Sequence, residues 1–343
     1  MGKQHHYIPR FYLKRFSIND EGKCIALYNL KNKKFIQNAP IKHQACSAFL
    51  YGTDDLIENE LAKLEGIIAR FMHFWIDKKI LDLPPQNSPA FTAIKRFILY
   101  QIFRTVKEGN HTLDLLDQAF KAFVHVHLPN KVQFLDGAKV FTEDSVLLSL
   151  LHAMDKDYLL NFLKCRFILN LTDLPFITSD APVVRYNQLM EEIGLYTGAT
   201  GLSVKGLQIF FPIHARLMIC LFDPKVYACG KEEKDYVVTE SMDDIHQLNA
   251  LQYLNCDWQL FFDELVSQEY IEYIAENYEA KRAEIGPFSK LIKTSNKIEL
   301  FSSSEDAQID LKLTFFEILS DAKKFKHELA PLRHPSLARI NYQ

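Results

Sequence analysis

The chain changes character near residue 166, and this change limits the folds that it can adopt. Before this point apolar residues recur at helical spacing, as at Ile57, Leu61, Leu64, Ile68 and Phe71. After it, runs rich in β-branched and aromatic residues are bounded by glycine and proline, which is typical of strands. The order predicts an α+β fold, with a helix-rich N-terminal half packed on a mostly antiparallel β core built from hairpins.

The same patterns predict individual elements and a domain organisation. Helices are expected over about 53–80, 88–107, 112–127, 143–164, 239–254 and 266–283, the first of them capped by Thr53 or Asp54. Strands are expected within CIALYNLKNKKFI, WQLFFD and two hairpins, RFILNLTDLPFITSDAPVVRYN and GLQIFFPIHARLMICLFDP. We expect one domain over 1–285, with a helical part at about 53–165 and a β-rich part at about 166–265, then a linker and C-terminal extension over 286–343.

Charge is distributed unevenly along the chain. The net charge is −3, so bulk electrostatics do not indicate a nucleic-acid or membrane partner. Residues 1–50, however, hold nine Lys and Arg against two Asp and Glu, whereas residues 231–284 hold four against fourteen. This asymmetry indicates either intramolecular pairing or a basic rim at a site for an anionic ligand.

Several classes of protein are disfavoured. The six cysteines include no C-x-x-C pair, so the spacing of a zinc ribbon is absent, and free thiols in a reducing compartment are expected. No apolar run approaches the ~18 residues that a membrane span needs, and the polar start lacks the apolar core of a signal peptide. We therefore expect a cytoplasmic protein without a membrane partner.

The stretch QHHYIPRFYLKRFS, which begins at residue 4, is the first candidate for function. If its start is extended, as Pro9 favours, His5 and His6 point to opposite sides. One imidazole can then enter a site as a general acid or base, or as a metal ligand. The guanidinium of Arg10 suits a phosphate or a carboxylate. The alternative is a surface-docked segment of stacked aromatics in which the histidines are incidental.

The second candidate is FITSDAP, where Ser179 and Asp180 follow directly on a predicted strand. Asp180 suits a metal ligand, a general base or a group that orients a histidine. The alternative is an Asx turn in which Asp180 bonds its own backbone.

The third candidate is the pair Glu58 and Glu65, whose spacing of seven places both carboxylates on one helix face. They can supply metal oxygens or pair with a basic group, or they form a solvated helix edge.

The opening segment resembles the N-terminal signature of a bacterial and fungal family, domain of unknown function 4238, which reads H-H-Y-x-P-x-x-Y-L-x-x-F. ACSAFLYGTDDLIENELAKLE, PFITSDAPVV, IFFPIHARLMICL and IHQLNALQYLN are similar to later parts of the family, so the resemblance covers residues 4–265. The chain departs from the pattern at His214 and Ala215, where a more polar turn is expected. The positions that match are His5, His6, Tyr7, Pro9, Tyr12, Leu13, Glu58, Glu65, Ser179, Asp180 and Pro182. The resemblance implies no activity, but it implies that the opening segment and the Ser-Asp turn form one site.

These residues support two hypotheses of different classes. The first is a hydrolase of phosphodiesters, by analogy a nuclease-type toxin or phage-defence effector that acts on nucleic acid. In this hypothesis His5 or His6 performs acid–base chemistry with Ser179 and Asp180. The substrate is bound by Tyr7, Arg10 and Tyr12. A divalent metal ion held by His6, Glu58, Glu65 and Asp180 is one alternative. The second is a non-catalytic module that binds a nucleotide or a protein, with the aromatics stacking on the ligand and the opening segment serving as a structural clasp.

Overall fold

The protein has an α+β fold, as the sequence predicts. The computed structural model describes residues 4–52, 56–282, 286–293, 298–305, 308–324 and 331–338. The described helices are α1 (Arg10–Leu13), α2 (Leu56–Met72), α3 (Pro89–Phe103), α4 (Val106–His127), α5 (Ser145–Ala153), α6 (Gln188–Glu192), α7 (Met242–Asn255) and α8 (Gln268–Arg282). The described strands are β1 (Gln4–His6), β2 (Cys24–Asn29), β3 (Lys34–Pro40), β4 (Cys46–Ala48), β5 (Lys164–Asn170), β6 (Thr178–Ser179), β7 (Val184–Tyr186), β8 (Gln208–His214), β9 (Leu217–Phe222), β10 (Tyr227–Cys229), β11 (Tyr236–Thr239), β12 (Gln259–Phe262), β13 (Gly286–Lys293), β14 (Ile298–Glu305) and β15 (Phe316–Ile318).

Two larger sheets carry the fold, and they are mostly antiparallel. The five-stranded sheet has the order β11-β5-β9-β8-β7, in which only the β11–β5 pair is parallel. The four-stranded sheet has the order β3-β2-β12-β6 and is antiparallel throughout. The hairpins predicted for β2–β3 and β8–β9 are both present. The mostly antiparallel β core is therefore confirmed.

Both faces of the five-stranded sheet are covered, which explains the continuous apolar run of β8. Ile209 and Phe211 belong to the core that packs under α2 and α3, whereas Phe210 belongs to the core on the opposite face. Side chains of a strand alternate between its two faces, so a strand buried on both sides needs apolar residues at every position. Trp75 packs edge-on against Phe167 of β5, with ring centroids 5.0 Å apart.

The N-terminal arm, residues 4–17, packs into the larger core. Ile8, Tyr12, Leu13 and Phe16 are all buried. The ring of Tyr12 stacks on Phe211 with centroids 5.2 Å apart. Its hydroxyl lies 2.6 Å from the carbonyl oxygen of Pro212 in β8 and 2.5 Å from the hydroxyl of Thr178 in β6. A carbonyl only accepts, so Tyr12 donates to Pro212 and accepts from Thr178. One hydroxyl thus joins the arm to both sheets.

The predicted helices are present, but some of them begin or end at other residues than predicted. The third helix begins at Val106 rather than near 112, because the Thr105 hydroxyl caps it by accepting from the Glu108 N–H. The helix predicted over 143–164 is α5 and ends at Ala153, since Asp155 has a left-handed backbone (φ 61°) that a helix cannot continue through. The predicted caps Thr53 and Asp54 lie outside the described residues.

The first predicted β-hairpin is corrected. β5 lies in the five-stranded sheet, whereas β6 pairs with β12 in the four-stranded sheet. Between them the Asn170 side chain closes a turn, accepting from the Thr172 N–H and donating to the Leu174 carbonyl. The chain therefore passes from one sheet to the other where a local pattern suggests a simple reversal.

The segment expected as a linker and extension is structured where it is described. β13 and β14 form an antiparallel hairpin within the range expected as a linker. Further on, β15 pairs with β10, and Leu311 and Leu313 join the core. Arg333 is buried and donates to four carbonyl groups, including those of Leu159 (2.5 Å) and Leu202 (3.0 Å).

Two expectations about composition can be compared with the structure. The six cysteines are all free, and four of them are buried. Among the helices of the described ranges, none combines the length and apolar character that crossing a bilayer requires.

Replacing Tyr12 with Phe should destabilise the fold because it leaves the buried Pro212 carbonyl without its donor. We expect the free energy of unfolding to fall by about 1–3 kcal/mol. The measurement is denaturant unfolding of wild type and Tyr12→Phe, with Tyr196→Phe as the control, since Tyr196 is 41% exposed. Equal midpoints for Tyr12→Phe and wild type would contradict a bridging role for this hydroxyl.

Candidate functional site

The two adjacent histidines are oriented by the pairing of β1 with β4. His5 lies opposite Ser47 and His6 opposite Cys46 in an antiparallel register. Because side chains alternate along a strand, the two imidazoles point to opposite sides, as expected. His5 is buried, whereas His6 is half-buried and reaches the surface. The structure therefore distinguishes two histidines that the sequence leaves equivalent.

His5 is held as a particular tautomer. Its ring stacks on Tyr51 with centroids 5.5 Å apart, and its Nδ1 accepts a hydrogen bond from the Tyr51 backbone N–H at 3.1 Å. An Nδ1 that accepts leaves the proton of a neutral imidazole on Nε2. That Nε2 is buried, and no acceptor among the described residues reaches it. His5 thus carries a buried donor that a water or a ligand oxygen would satisfy.

His6 is held in the complementary tautomer. Its Nε2 lies 3.3 Å from the carbonyl oxygen of Lys42, and since a carbonyl only accepts, Nε2 must donate. The lone pair of the neutral ring is therefore on Nδ1. Burial lowers the pKa of His6, and the charge of Arg10 lowers it further, against opposing effects of the Lys42 carbonyl and Glu65. His6 is a neutral imidazole with a basic nitrogen at pH 7.

A buried arginine supports the site from below. Arg104 is 1% exposed, and its Nη1 donates to Glu65 Oε1 at 2.7 Å. Its Nε and Nη2 donate to Gln101 Oε1, while Gln101 donates to the Tyr7 carbonyl at 3.0 Å. This chain of bonds ties the arm backbone to α2 and α3. Removing one member would leave a buried charge or polar group without its partner, which is costly.

The Tyr51 phenol lies at the centre of this cluster. It donates to the His6 carbonyl at 3.3 Å. Burial raises its pKa, the charge of Arg104 opposes the rise, and the charges of Glu65 and Glu58 add to it. Glu58 and Glu65 of α2 are therefore both close to Tyr51. The candidate site comprises His6, Arg10, Glu58 and Glu65, with Tyr51 and Arg104 beneath them.

In the T-S-D segment, residues 178–180, the side chains of Ser179 and Asp180 make hydrogen bonds within the fold. Ser179 is fully buried and donates to Gln252 at 3.0 Å. Asp180 Oδ1 accepts from the Asp257 N–H at 2.8 Å, and Oδ2 accepts from the N–H groups of Trp258 (2.7 Å) and Gln259 (2.9 Å). Burial raises the pKa of Asp180 to about 6, against the opposing effect of these donors. The Asp180 carboxylate therefore binds the backbone at the start of β12 instead of forming an Asx turn.

The arm and the T-S-D segment meet, but through residues other than the expected pair. Tyr12 bonds Thr178, and the charge of Asp180 contributes to the raised pKa of Tyr7, whose main cause is burial. The hydrogen-bond partners of the Asp180 carboxylate are three backbone N–H groups and the Cys256 thiol, and they include neither His5 nor His6. The contact between the two segments therefore does not include a hydrogen bond from Asp180 to a histidine.

The donor geometry also bears on the metal hypothesis. Within the residues that the structure describes, no group of three or more His, Cys, Asp and Glu side chains is placed to hold one ion. His5 cannot ligate through Nε2 while Nδ1 accepts from Tyr51, because a neutral imidazole has one lone pair. Both oxygens of Asp180 are engaged with backbone N–H groups. Of the predicted ligands, His6, Glu58 and Glu65 lie in the cluster and Asp180 does not.

Sequence reasoning missed Tyr51, Gln101 and Arg104. Gln101 and Arg104 lie in RFILYQIFRT, where polar residues interrupt an otherwise apolar helix that is buried along most of its length. A buried polar residue needs a partner, so their positions were a usable signal. Tyr51 gave no such signal, since its role depends on contact with a segment 46 residues earlier.

The fold and site define an α+β protein whose N-terminal strand carries one half-buried imidazole near an ion pair of buried Arg104 and partly exposed Glu65. The chain matches the model of the family described as Protein of unknown function (DUF4238) over residues 4–264, and it belongs to that family. No curated protein and no solved structure matches the chain.

Replacing Asp180 with Asn should destabilise the protein even though the two side chains have the same shape. Three N–H groups converge on the two carboxylate oxygens, so an amide NH₂ would face at least one of them. We expect a loss of about 1–3 kcal/mol in the free energy of unfolding. Thermal and denaturant unfolding check this, with Asp173→Asn, an exposed position on the preceding turn, as the control. A fully stable Asp180→Asn that lacks activity would instead restore a catalytic role for Asp180.

Proposed function

We propose that this protein is a hydrolase of phosphodiesters in which His6 is the general base. The observation that supports this is the state of His6: a surface imidazole whose proton is fixed on Nε2 by Lys42, with its basic Nδ1 left for a substrate. An imidazole that is neutral at the working pH can remove a proton from water. Arg10, which is exposed beside it, supplies the positive charge that a phosphate needs.

The proposed reaction needs one general base and one positively charged group that binds the phosphate. His6 Nδ1 takes a proton from water while the water oxygen forms a bond to phosphorus. The bond from phosphorus to the leaving oxygen breaks, and the imidazolium of His6 returns the proton to that oxygen. Glu65, held by Arg104 at 2.7 Å, stabilises the imidazolium that forms between these steps. The products are a phosphomonoester and an alcohol.

Replacing His6 with Ala should reduce hydrolysis of bis(4-nitrophenyl) phosphate, and of single-stranded DNA and RNA, by about 10²–10⁴-fold. The control is His43→Ala, an exposed histidine on the neighbouring turn. Assays with and without EDTA separate this chemistry from a metal-dependent reaction at Glu58 and Glu65. Equal rates for wild type and His6→Ala would contradict the assignment.

The pH dependence of the rate provides a second check of the same assignment. The base acts when it is neutral, so the rate should rise with pH through the pKa of His6 and then level off. Burial holds that pKa below 6.5, which places the rising limb at acidic pH and the plateau across neutral pH. A rising limb of the rate against pH that is centred above pH 7 would indicate that a group other than His6 is the base.

A second candidate function is a binding module in which the arm is only a clasp. The deep burial of Ile8, Tyr12 and Leu13 and the Tyr12 bonds to both sheets favour this alternative. A clasp without catalysis gives no turnover with any diester, and His6→Ala then changes stability or affinity alone.

As a biological role we propose a nuclease-type toxin or phage-defence effector of the cytoplasm. Such a protein damages nucleic acid, so expression should arrest bacterial growth, and His6→Ala should relieve the arrest. Plating efficiency after induction measures this, with His43→Ala and an immunoblot of protein level as controls. Equal growth of cells that express the wild-type protein and cells that carry an empty vector would contradict this role. It would not contradict the hydrolase proposal, which the diester assay tests separately.

A further inference from the structure

One of the two tryptophans is exposed beside a basic turn. The Trp258 side chain is 45% exposed, whereas Trp75 is 3% exposed. Trp258 precedes β12 and is held firmly by its backbone: its N–H donates to Asp180 and its carbonyl accepts from the Leu30 N–H at 2.9 Å. A large apolar ring fixed in an exposed position is a common feature of binding surfaces.

The turn that faces this ring is strongly cationic. The β2–β3 turn contains Lys31 and Lys33, and Lys34 begins β3. All three are exposed, and the Lys31 Nζ lies 4.7 Å from the centre of the Trp258 ring. No acidic residue occurs in the sequence between Glu21 and Asp54. The one acidic neighbour of Trp258 along the chain, Asp257, is countered by the charges of Lys107 and Arg282. The surface therefore attracts polyanions.

We propose that Trp258 and the β2–β3 turn bind single-stranded nucleic acid. The indole stacks on an unpaired base, and Lys31, Lys33 and Lys34 contact phosphates. An aromatic platform beside basic side chains is the usual arrangement of single-strand sites, and stacking needs a base that is free of its partner strand. This inference rests on the proposed function, since the bound strand is the substrate that His6 would cleave.

Asp180 links Trp258 to the arm. Its carboxylate accepts from the Trp258 N–H, and the charges of Asp180 and Asp257 both act on the phenol of Tyr7, the residue after His6.

The test uses the full chain and separates binding from cleavage. The His6→Ala chain is titrated with labelled oligothymidylate and oligouridylate of about 12 nucleotides, within the size of a typical single-strand site. Indole fluorescence and label anisotropy are recorded at several salt concentrations. Because Trp75 is buried, quenching reports on Trp258. Trp258→Ala, Trp258→Phe and Lys31→Gln are made in the same background, and Lys234→Gln is the control, because Lys234 also lies over an aromatic ring, that of Tyr236, at 5.0 Å.

We expect quenching on binding and an affinity at least about tenfold weaker for Trp258→Ala, with a smaller loss for Trp258→Phe. Lys31→Gln should lower the slope of log K against log salt by about 0.7. Lys234→Gln should bind like the parent chain.

The outcomes separate this inference from the proposed function. Binding by the His6→Ala parent that is unchanged when Trp258→Ala or Lys31→Gln is added overturns the site, and so does the absence of binding to either oligomer. Binding that depends on Trp258, together with no cleavage of any diester, overturns the hydrolase proposal and supports the binding site. Cleavage of bis(4-nitrophenyl) phosphate by a chain that binds no oligomer overturns the binding site alone.

Discussion

The buried hydroxyl of Tyr12 fixes the relation between the arm and the two sheets. It donates to Pro212 in the five-stranded sheet and accepts from Thr178 in the four-stranded sheet. A buried polar group without a partner costs about 1–3 kcal/mol, so the three segments are stable together only in the arrangement that satisfies this hydroxyl. The position of the arm strand, and hence of both histidines, depends on it.

The pairing of β1 with β4 gives the two histidines different roles. Strand alternation turns His5 inward to Tyr51 and His6 outward to the Lys42 carbonyl, and each contact fixes where the proton resides. The lone pair of neutral His6 is on Nδ1, whereas that of His5 accepts from the Tyr51 N–H. The charge of Glu65, whose carboxylate Arg104 binds, opposes the lowering of the His6 pKa.

The T-S-D segment shows that residue types suited to catalysis can serve structure instead. Asp180 accepts three backbone N–H groups and thereby holds the start of β12, including Trp258. Its contribution to a site is indirect, because it fixes the backbone of an exposed ring and acts electrostatically on Tyr7. The sequence singled out Asp180 for its chemistry, and the structure engages both of its carboxylate oxygens with backbone N–H groups.

The sequence by itself determined the α+β class, the existence of the main helices and the β2–β3 and β8–β9 hairpins. These features follow from the spacing of apolar residues within each segment, and that spacing is local. Only the tertiary structure decided that β5 and β6 belong to different sheets, that His6 rather than His5 faces outward, and which partners satisfy the polar residues. Arg104 lies 39 residues from its partner Glu65 along the chain. Asp180 lies 77 to 79 residues from its backbone partners, and Tyr12 lies 166 and 200 residues from its two partners. A local pattern indicates that such a residue is buried, but its partner is chosen by how distant segments pack.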